Sequence, residues 1–520
     1  MDSRSASPIV ERIFIGGTLE IPRVINGLWQ LAGGHDKDID IESASKAMDE
    51  LISVGLDAFD MADHYGDAEL IIGHHRANSD KKAIAFTKWC PTSKTEDLLQ
   101  QTEAAVDLAL KRMNHSTIPL LQYHCWSYSS GTLLPHIQYL HALRIAGKTS
   151  LIGLTNTDSA HLELLLNTGF YIATNQVSVS VLDRRVTRGR MSDVCIKHGV
   201  GILAYGTLLG GFLSENWLGV PEPEAGESLN WSLRKYLRFI KAAGGWDVFQ
   251  GVLRALKIVA DRHGVGIPAV AMRFVLDIPG VSAVIIGTRL SSDSGKYAQR
   301  NLETFSFKLT DEDRKDIEEA QGKLRDLPGD CGDEYRRPPF LTAKGDLSDH
   351  LGESEETLAL LKAVEEGKRI EFSSGSKWEP IAVSNPSLTS PIAFRMMTFG
   401  LSTNRGTTAN VPTCLSFVRV IGGSSSYSQT IAILDIIEYA LHKLGSNLKD
   451  VVRTRIIVRH ERDCEEVSRA HGWVFGCVGV RPANTLLVGG IVGEEFLVEV
   501  EAEAVVGCGA GGVWKVGEGA

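Results

Sequence analysis

The stretch AIAFTKWCPTSKTEDLLQQTEAAVDLALKRMNHSTIPLLQYH (83–124) decides the fold. It holds a short apolar run, then a long stretch of helical period, then a second apolar run. The helical part, 95–113, has acidic residues near its start and Lys and Arg near its end, which complements the dipole of a helix. A strand, a helix and a strand in this order predict two parallel strands joined by a crossover helix.

The same unit recurs along the first 310 residues. Further helical patterns cover 133–148 and 246–264. The apolar runs predicted as strands are 23–29, 57–63, 83–89, 118–124, 151–156, 171–179, 201–207 and 281–287. Eight strands, each followed by a helix, predict an α/β protein with a (β/α)₈ TIM barrel. A doubly wound sheet shows the same alternation, but no GxGxxG follows the first strand, which weakens that alternative.

The composition excludes several classes of protein. The chain has 520 residues, enough for two or more domains, and a net charge of −10, which gives no global reason to bind nucleic acid or an anionic membrane. No apolar run reaches the roughly 18 residues of a spanning helix, and the N-terminus does not resemble a secretory signal. Eight cysteines without a CxxC pair predict reduced thiols in a cytoplasmic protein, with no metal site.

Ionisable residues follow the predicted strands where a barrel carries its chemistry. Asp60, Lys88 and His124 lie at strand ends, and Tyr65 follows the first of them. A tyrosine has a reference pKa near 10, and a nearby ammonium favours the phenolate. A carboxylate would hold that ammonium, and a histidine would orient a carbonyl oxygen. The four residues therefore predict a general acid that protonates a carbonyl while a cofactor supplies hydride to the carbon.

These residues and their order resemble the aldo-keto reductase family. The matching segments are GLDAFDMADHYGDAE (55–69), AFTKWC (85–90) and LLQYHCW (120–126). The resemblance covers about residues 10–345. It implies that Asp60, Tyr65, Lys88 and His124 form the catalytic tetrad.

The resemblance also implies a nicotinamide cofactor site. Its nicotinamide end would contain Thr155, Asn156, Gln176 and Tyr205, and its adenosine-phosphate end Gly287, Thr288, Arg289 and Asn301. We expect NADP(H) to be preferred to NAD(H), because the guanidinium of Arg289 suits a phosphate.

Two further groups of residues have two interpretations each. Trp29 and Trp126 are walls of the substrate pocket or simple packing at the barrel mouth. Arg234, Lys235 and Arg238 are interpreted as a solvated helix face, since charged clusters usually face water. The alternative is a loop that folds over the cofactor pyrophosphate.

The pattern changes after the barrel. We predict a barrel domain over 1–345, a linker and helix over 346–375, an α+β domain over 376–510 and a Gly-rich tail over 511–520. Within the α+β domain, helices are predicted at 428–445 and 463–475, and strands at 450–460 and 495–506. The stretch 378–425 shows no clean strand alternation.

The second domain resembles the YjgF/Rid (reactive-intermediate deaminase) family. The matching segments are SNLKDVVRTRIIV (446–458), RAHGWVFG (469–476) and LVEVEAEAVV (497–506). The resemblance implies a homotrimer formed through this domain, and hydrolysis of imines or enamines in some members. Glu501 matches the family's acid, but Asn484 stands where active members have an arginine. We therefore expect an oligomerisation or ligand-binding module.

The leading prediction is an NADP-dependent oxidoreductase acting on a small-molecule aldehyde, ketone, sugar or alcohol, with Tyr65 as general acid and base. One alternative is a cofactor-binding scaffold or regulatory protein with little turnover. Another is a bifunctional protein that combines the reductase with an imine or enamine deaminase.

Overall fold

A computed structural model gives the fold. It describes residues 9–32, 40–91, 97–224, 229–291, 294–336, 388–390, 393–398, 420–505 and 507–508, with backbone only for the two short ranges 388–390 and 393–398. The predicted linker 346–375 and tail 511–520 lie outside these residues. Contacts divide the chain into two units, one of residues 1–126, 136–159 and 171–350 and the other of residues 127–135, 160–170 and 351–520.

Eight parallel strands form a closed barrel, as the sequence predicts. Their order is β10-β3-β4-β5-β6-β7-β8-β9, and β10 closes the ring by pairing with β3. The bounds are β3 Val24–Gly27, β4 Ala58–Asp60, β5 Ile84–Trp89, β6 Ile118–Tyr123, β7 Thr149–Thr155, β8 Thr174–Ser178, β9 Gly201–Tyr205 and β10 Val281–Gly287. All strands are parallel, so their C-terminal ends meet at one rim and bring distant residues of the chain together.

Helices follow the barrel strands. Their bounds are α1 Ile41–Ser53, α2 Ala68–Asn78, α3 Leu98–Arg112, α4 Leu133–Ile145, α5 Ser159–Thr168, α6 Arg185–Arg188, α7 Met191–His198, α8 Trp231–Ala242, α9 Trp246–His263, α10 Ile267–Leu276, α11 Ser294–Leu302 and α12 Asp311–Gln321. Local signals set several ends. The Asp97 side chain caps α3 by accepting from the Gln100 N–H, and Thr310 with Asp313 forms a capping box on α12.

Apolar side chains fill the barrel interior. A hairpin of β1 (Arg12–Ile15) and β2 (Leu19–Pro22) precedes the first barrel strand. Its Ile15 and Ile21 belong to the same buried cluster as Phe86 and Leu120 inside the barrel. Apolar side chains thus fill one end of the barrel interior, and the polar side chains lie at the other end.

The C-terminal unit contains a five-stranded sheet and two helices. The strands are β11 Leu388–Ser390, β12 Ala393–Thr398, β13 Val451–Val458, β14 Ala483–Val488 and β15 Val498–Ala504, in the order β11-β12-β15-β13-β14. The helices are α13 Ser426–Lys443 and α14 Cys464–Cys477. The helix α14 connects β13 to β14, which pair in parallel, as expected for a crossover.

The sequence predicts these helices and most of these strands within a few residues, but it misses β11 and β12. The strand β12 lies in 378–425, where alternation is unclear, yet it pairs along five residues with β15. The neighbouring strand β15 supplies backbone hydrogen-bond partners whatever the side-chain pattern of β12. The side-chain pattern of this segment alone therefore does not predict the strand. Among the described residues, no helix is both long and apolar enough to cross a bilayer.

Candidate active site

The centre of the barrel rim is a buried ion pair. Asp60 ends β4 and Lys88 lies near the end of the neighbouring strand β5. Lys88 Nζ donates to Asp60 Oδ2 over 2.5 Å and to the carbonyl of Met61 over 2.8 Å, and both charged side chains are almost fully buried. The ammonium is therefore held at a fixed point.

Two amides complete the bonding of the carboxylate. Gln122 Nε2 and Gln176 Nε2 donate to Asp60 Oδ1 over 2.7 and 2.8 Å, and Gln176 Nε2 also donates to Gln122 Oε1. Gln176, predicted to bind the nicotinamide amide, thus has its N–H groups engaged with Asp60 and Gln122. Its carbonyl oxygen is the part that would meet a carboxamide.

Tyr65 lies in the turn between β4 and α2 and is half-buried. Lys88 Nζ lies 5.0 Å from the centroid of its ring, and His64 packs edge-on against the ring. The predicted order of charges is therefore present, with the carboxylate of Asp60 behind the ammonium and the tyrosine in front of it.

His124 follows β6 and is buried. Burial, together with the charges of Arg336 and Lys88 among others, holds the pKa of His124 well below its usual range, so the ring is neutral. Its Nδ1 lies 3.9 Å from Cys90 Sγ, and its Nε2 has no hydrogen-bond partner among the described residues. Burial raises the pKa of the Cys90 thiol well above its usual value. Because that thiol keeps its proton, we assign the imidazole proton to Nε2.

The nicotinamide end predicted from the sequence forms one cluster. The buried hydroxyl of Thr155 lacks a hydrogen-bond partner among the described residues. Asn156 has a positive φ of 53° and accepts a hydrogen bond from the Tyr205 hydroxyl over 2.8 Å. The buried, unpartnered hydroxyl of Thr155 fits a ligand that carries an amide, with which it would form a hydrogen bond.

The adenosine end is only partly assembled as predicted. Arg289 is exposed just beyond β10, whereas the Thr288 hydroxyl faces inward and donates to Asn26 Oδ1 and to the carbonyl of Ile286. Asn301 is buried in α11. A side chain at Gly287 would place a Cβ 2.2 Å from Gln30 Nε2, so the glycine makes room for that side chain.

The two tryptophans both lie at the barrel rim. Trp126 packs on His124 with ring centroids 4.0 Å apart and an interplanar angle of 39°, and it clusters with Cys90 and Tyr335. Its Nε1 has no hydrogen-bond partner among the described residues. Trp29 is half-buried in a short 3₁₀ turn after β3.

The segment 330–336 after α12 also belongs to the site, although no role is predicted for it from the sequence. Glu334 and Tyr335 are buried, and Glu334 accepts from the Tyr205 hydroxyl over 3.2 Å and from Arg185 over 2.6 Å. Arg336 donates to the carbonyls of Asn156 and Cys125. A Cβ at Gly332, where φ is +88°, would lie 2.0 Å from the Asn156 carbonyl, so this segment lies directly on the predicted nicotinamide residues. No local periodicity marks it.

The interpretation of Lys235 as part of a solvated face is wrong. Lys235 is buried in α8, whereas Arg238 on the same helix is exposed and Arg234 is intermediate. Lys235 Nζ donates to the Tyr335 hydroxyl over 2.5 Å. The helix turns this one cation of the cluster inward because the apolar stripe of α8 packs against the barrel.

Three side chains near the site have atoms that could bind a metal ion and that lie close to one another. Asp63, His64 and Cys90 each offer one such atom within 4.8 Å of the others. They are joined by hydrogen bonds, because Asp63 accepts from the Cys90 N–H over 3.1 Å and lies 2.7 Å from His64 Nδ1. With Cys90 held as a thiol, the expectation of no metal stays a prediction.

Comparison with known proteins identifies the family of the barrel. The model of the Aldo/keto reductase family matches residues 23–321, more than half of the chain. Aryl-alcohol dehydrogenase GME11368 of Pestalotiopsis microspora is 24% identical over 340 residues, covering 61% of this chain and 80% of that protein. Flagellar radial spoke protein 5 of Chlamydomonas reinhardtii is 30% identical over 178 residues, covering 31% of this chain and only 33% of that protein.

A solved structure, that of the glycerol dehydrogenase AKR11B4 from Gluconobacter oxydans, is 21% identical with a TM-score of 0.48, covering 61% of this chain and 97% of that chain. The family match includes the strands that carry Asp60, Lys88 and His124. The chain belongs to the Aldo/keto reductase family and is an NAD(P)H-dependent oxidoreductase.

Proposed function

We propose that this chain reduces the carbonyl group of a small aldehyde, ketone or sugar, or oxidises the corresponding alcohol, with NADP(H) as cofactor and Tyr65 as general acid and base. The single observation that carries the proposal is the position of Lys88. Its ammonium bonds to buried Asp60 and lies 5.0 Å from the Tyr65 ring centroid, beside neutral His124.

The site fits a nicotinamide cofactor. The unpartnered hydroxyl of Thr155, the Gln176 carbonyl and the Tyr205 ring would hold the nicotinamide, and Arg289 would face the 2′-phosphate. When bound, the cofactor supplies or accepts the hydride, which no side chain can do. The preference for NADP(H) rests on the exposed guanidinium of Arg289.

The side chains of the chain handle the proton. Tyr65 gives its hydroxyl proton to the carbonyl oxygen, and Lys88 stabilises the negative charge that remains on the tyrosine oxygen. Asp60, bonded by Gln122 and Gln176, holds Lys88 at that position. His124 donates its Nε2–H to the same carbonyl oxygen and so fixes its direction.

A titration with NADPH and NADH tests this proposal first. Trp29 and Trp126 lie at the rim, so binding should quench tryptophan fluorescence, and NADPH should bind more tightly than NADH. Arg289→Gln should remove most of that preference, while the matched change Arg238→Gln, an exposed cation on α8, should leave it intact. A folded protein that binds neither nucleotide would contradict the reductase and favour a scaffold.

For the C-terminal unit we propose a Rid/YjgF-like module that assembles the protein as a trimer. In support, β14 is an exposed edge strand whose Leu487 and Val488 face water in the single chain, and Val492 follows it. Light scattering should then give three times the chain mass of 56.6 kDa, and Val488→Asp should lower it. A monomeric wild-type protein would overturn this proposal.

A further inference from the structure

The rim of the barrel holds a second lysine in an unusual place. Lys235 is only 3% exposed, and its ammonium lies among aromatic rings. Its distances to the ring centroids are 4.7 Å for Tyr335, 5.4 Å for Tyr205, 5.6 Å for Trp29 and 5.8 Å for Tyr236. Rings attract a cation through their faces but replace only part of its lost hydration. A methionine would fill this place at lower cost, so the charge points to a role in binding.

The polar atoms around this lysine point to a ligand. His124 Nε2 and Trp126 Nε1 are buried and have no hydrogen-bond partner among the described residues. Both rings contact Tyr335, His124 at 5.4 Å and Trp126 at 5.9 Å, and the hydroxyl of Tyr335 bonds to Lys235. One aromatic side chain therefore links the place of the carbonyl oxygen with the ammonium of Lys235.

Several basic side chains lie near this place. Arg336, His64, Lys88 and Lys235 act together with burial to hold the pKa of His124 low. Asp60 is paired with Lys88 and Glu334 with Arg185, and Lys235 also helps to lower the pKa of Glu334. The basic side chains beside His124 therefore favour an anion on the substrate.

We propose that Lys235, oriented by the Tyr335 hydroxyl, binds a carboxylate carried by the carbonyl substrate. This inference rests on the proposed function, because it takes the carbonyl to lie at Tyr65 and His124. The substrate class is a keto acid, an aldehyde acid or the matching hydroxy acid, with the carboxylate on the side of Tyr335. A pyrophosphate of the cofactor is the other oxyanion that could reach a rim lysine, and the experiment separates the two sources.

The probe is a matched pair of aldehydes, 4-formylbenzoate and its methyl ester, which differ by one charge. Binding of each is followed by tryptophan fluorescence with NADP⁺ present, and turnover by absorbance with NADPH. Wild type should favour the acid over the ester, by roughly 10- to 100-fold, the range expected for a hydrogen bond to a charged group. Lys235→Met should remove that preference in binding and in kcat/KM, and the Kd for NADPH should stay the same.

Two further variants guard against a fold defect. Tyr335→Phe keeps the ring and should weaken the preference in part, mainly through KM for the acid. Arg238→Met, on the exposed side of the same helix, should keep the full preference. No preference in the wild type, or a preference that survives Lys235→Met, overturns the inference, as does a loss confined to NADPH binding. A preference seen in binding without any turnover supports the inference and counts against the proposed function instead.

Discussion

Each of the two units contains an ion pair between an acidic and a basic side chain. At least one residue of each pair is a site residue predicted from the sequence. In the barrel, Lys88 and Asp60 approach to 2.5 Å and both are nearly fully buried. In the C-terminal sheet, Arg455 and Glu501 face each other across β13 and β15 at 3.5 Å, and the arginine side chain is 40% exposed. The two pairs differ in burial and in the distance between their charged atoms.

The difference in burial and hydrogen bonding indicates which of the two ion pairs can take part in catalysis. A buried pair survives only if every charge is bonded, and Asp60 meets this condition through Lys88, Gln122 and Gln176. That bonding fixes the ammonium beside Tyr65. In the sheet only the arginine of the pair is open to water, since the Glu501 side chain is 9% exposed, and Thr454 donates to the side-chain oxygen of exposed Asn484 beside it. We therefore place the catalysis in the barrel.

The largest expected effect comes from Tyr65→Phe. Removal of the hydroxyl should lower kcat by about a thousandfold, because the carbonyl oxygen loses its general acid. Stopped-flow or steady-state absorbance of NADPH measures kcat, and fluorescence checks that NADPH still binds. Tyr297→Phe, at an exposed tyrosine in α11, is the control. Unchanged turnover in Tyr65→Phe would remove this residue from its role.

The second prediction distinguishes the contribution of the Lys88–Asp60 ion pair to stability from its contribution to turnover. Lys88→Met leaves the buried carboxylate of Asp60 with only its two amide donors, so we expect the barrel to lose about 3 kcal/mol of stability. The double variant Asp60→Asn with Lys88→Met removes both charges and should recover much of that loss in urea unfolding. Turnover should stay low in both. Recovery of turnover in the double variant would show that the ion pair serves stability alone.

The third prediction concerns the effect of buried histidines on the pH dependence of stability. Burial lowers the pKa of His136 in the barrel to about 4. The folded state then binds fewer protons than the unfolded state below pH 6.5, so this contribution to stability is complete above 6.5 and is lost as the pH falls towards 4. The loss should reach about 2 kcal/mol at pH 5.

Urea unfolding of His136→Gln at pH 7.5 and pH 5 checks this value. The variant should show a smaller drop between the two pH values than wild type, whatever its absolute stability. His74→Gln, at a half-exposed histidine in α2, serves as the control. Burial also lowers the pKa of His471 in α14 of the C-terminal unit, so His471→Gln tests whether the second unit responds in the same direction. A drop in His136→Gln as large as in wild type would contradict the assignment.

The sequence predicts the barrel, and which residues lie at its rim, for a physical reason. Alternation of strand and helix fixes the topology, and parallel topology places Asp60, Lys88 and His124 together without any knowledge of their distances. The sequence does not predict that Lys235 and the segment 330–336 belong to the site, because their positions depend on tertiary packing. The burial of Lys235 depends on the rotation of α8 against the barrel, and Glu334 acquires its meaning only from Arg185 and Tyr205, more than a hundred residues away. The strand β12 escapes in the same way, since its partner β15 lies far along the chain.

The smallest expected effect tests the comparison from the side of the sheet. Arg455→Gln removes the half-exposed partner of the buried Glu501 carboxylate, so the free energy of unfolding should fall by about 1 kcal/mol, more than for a fully exposed pair and less than for a fully buried one. Carbonyl reduction should not change, and Glu501→Gln should behave in the same way. Release of ammonia from an enamine substrate by the full chain, lost in Glu501→Gln, would instead assign chemistry to the sheet. The two pairs would then differ in the reaction they serve, and burial would no longer separate the catalytic pair from the other.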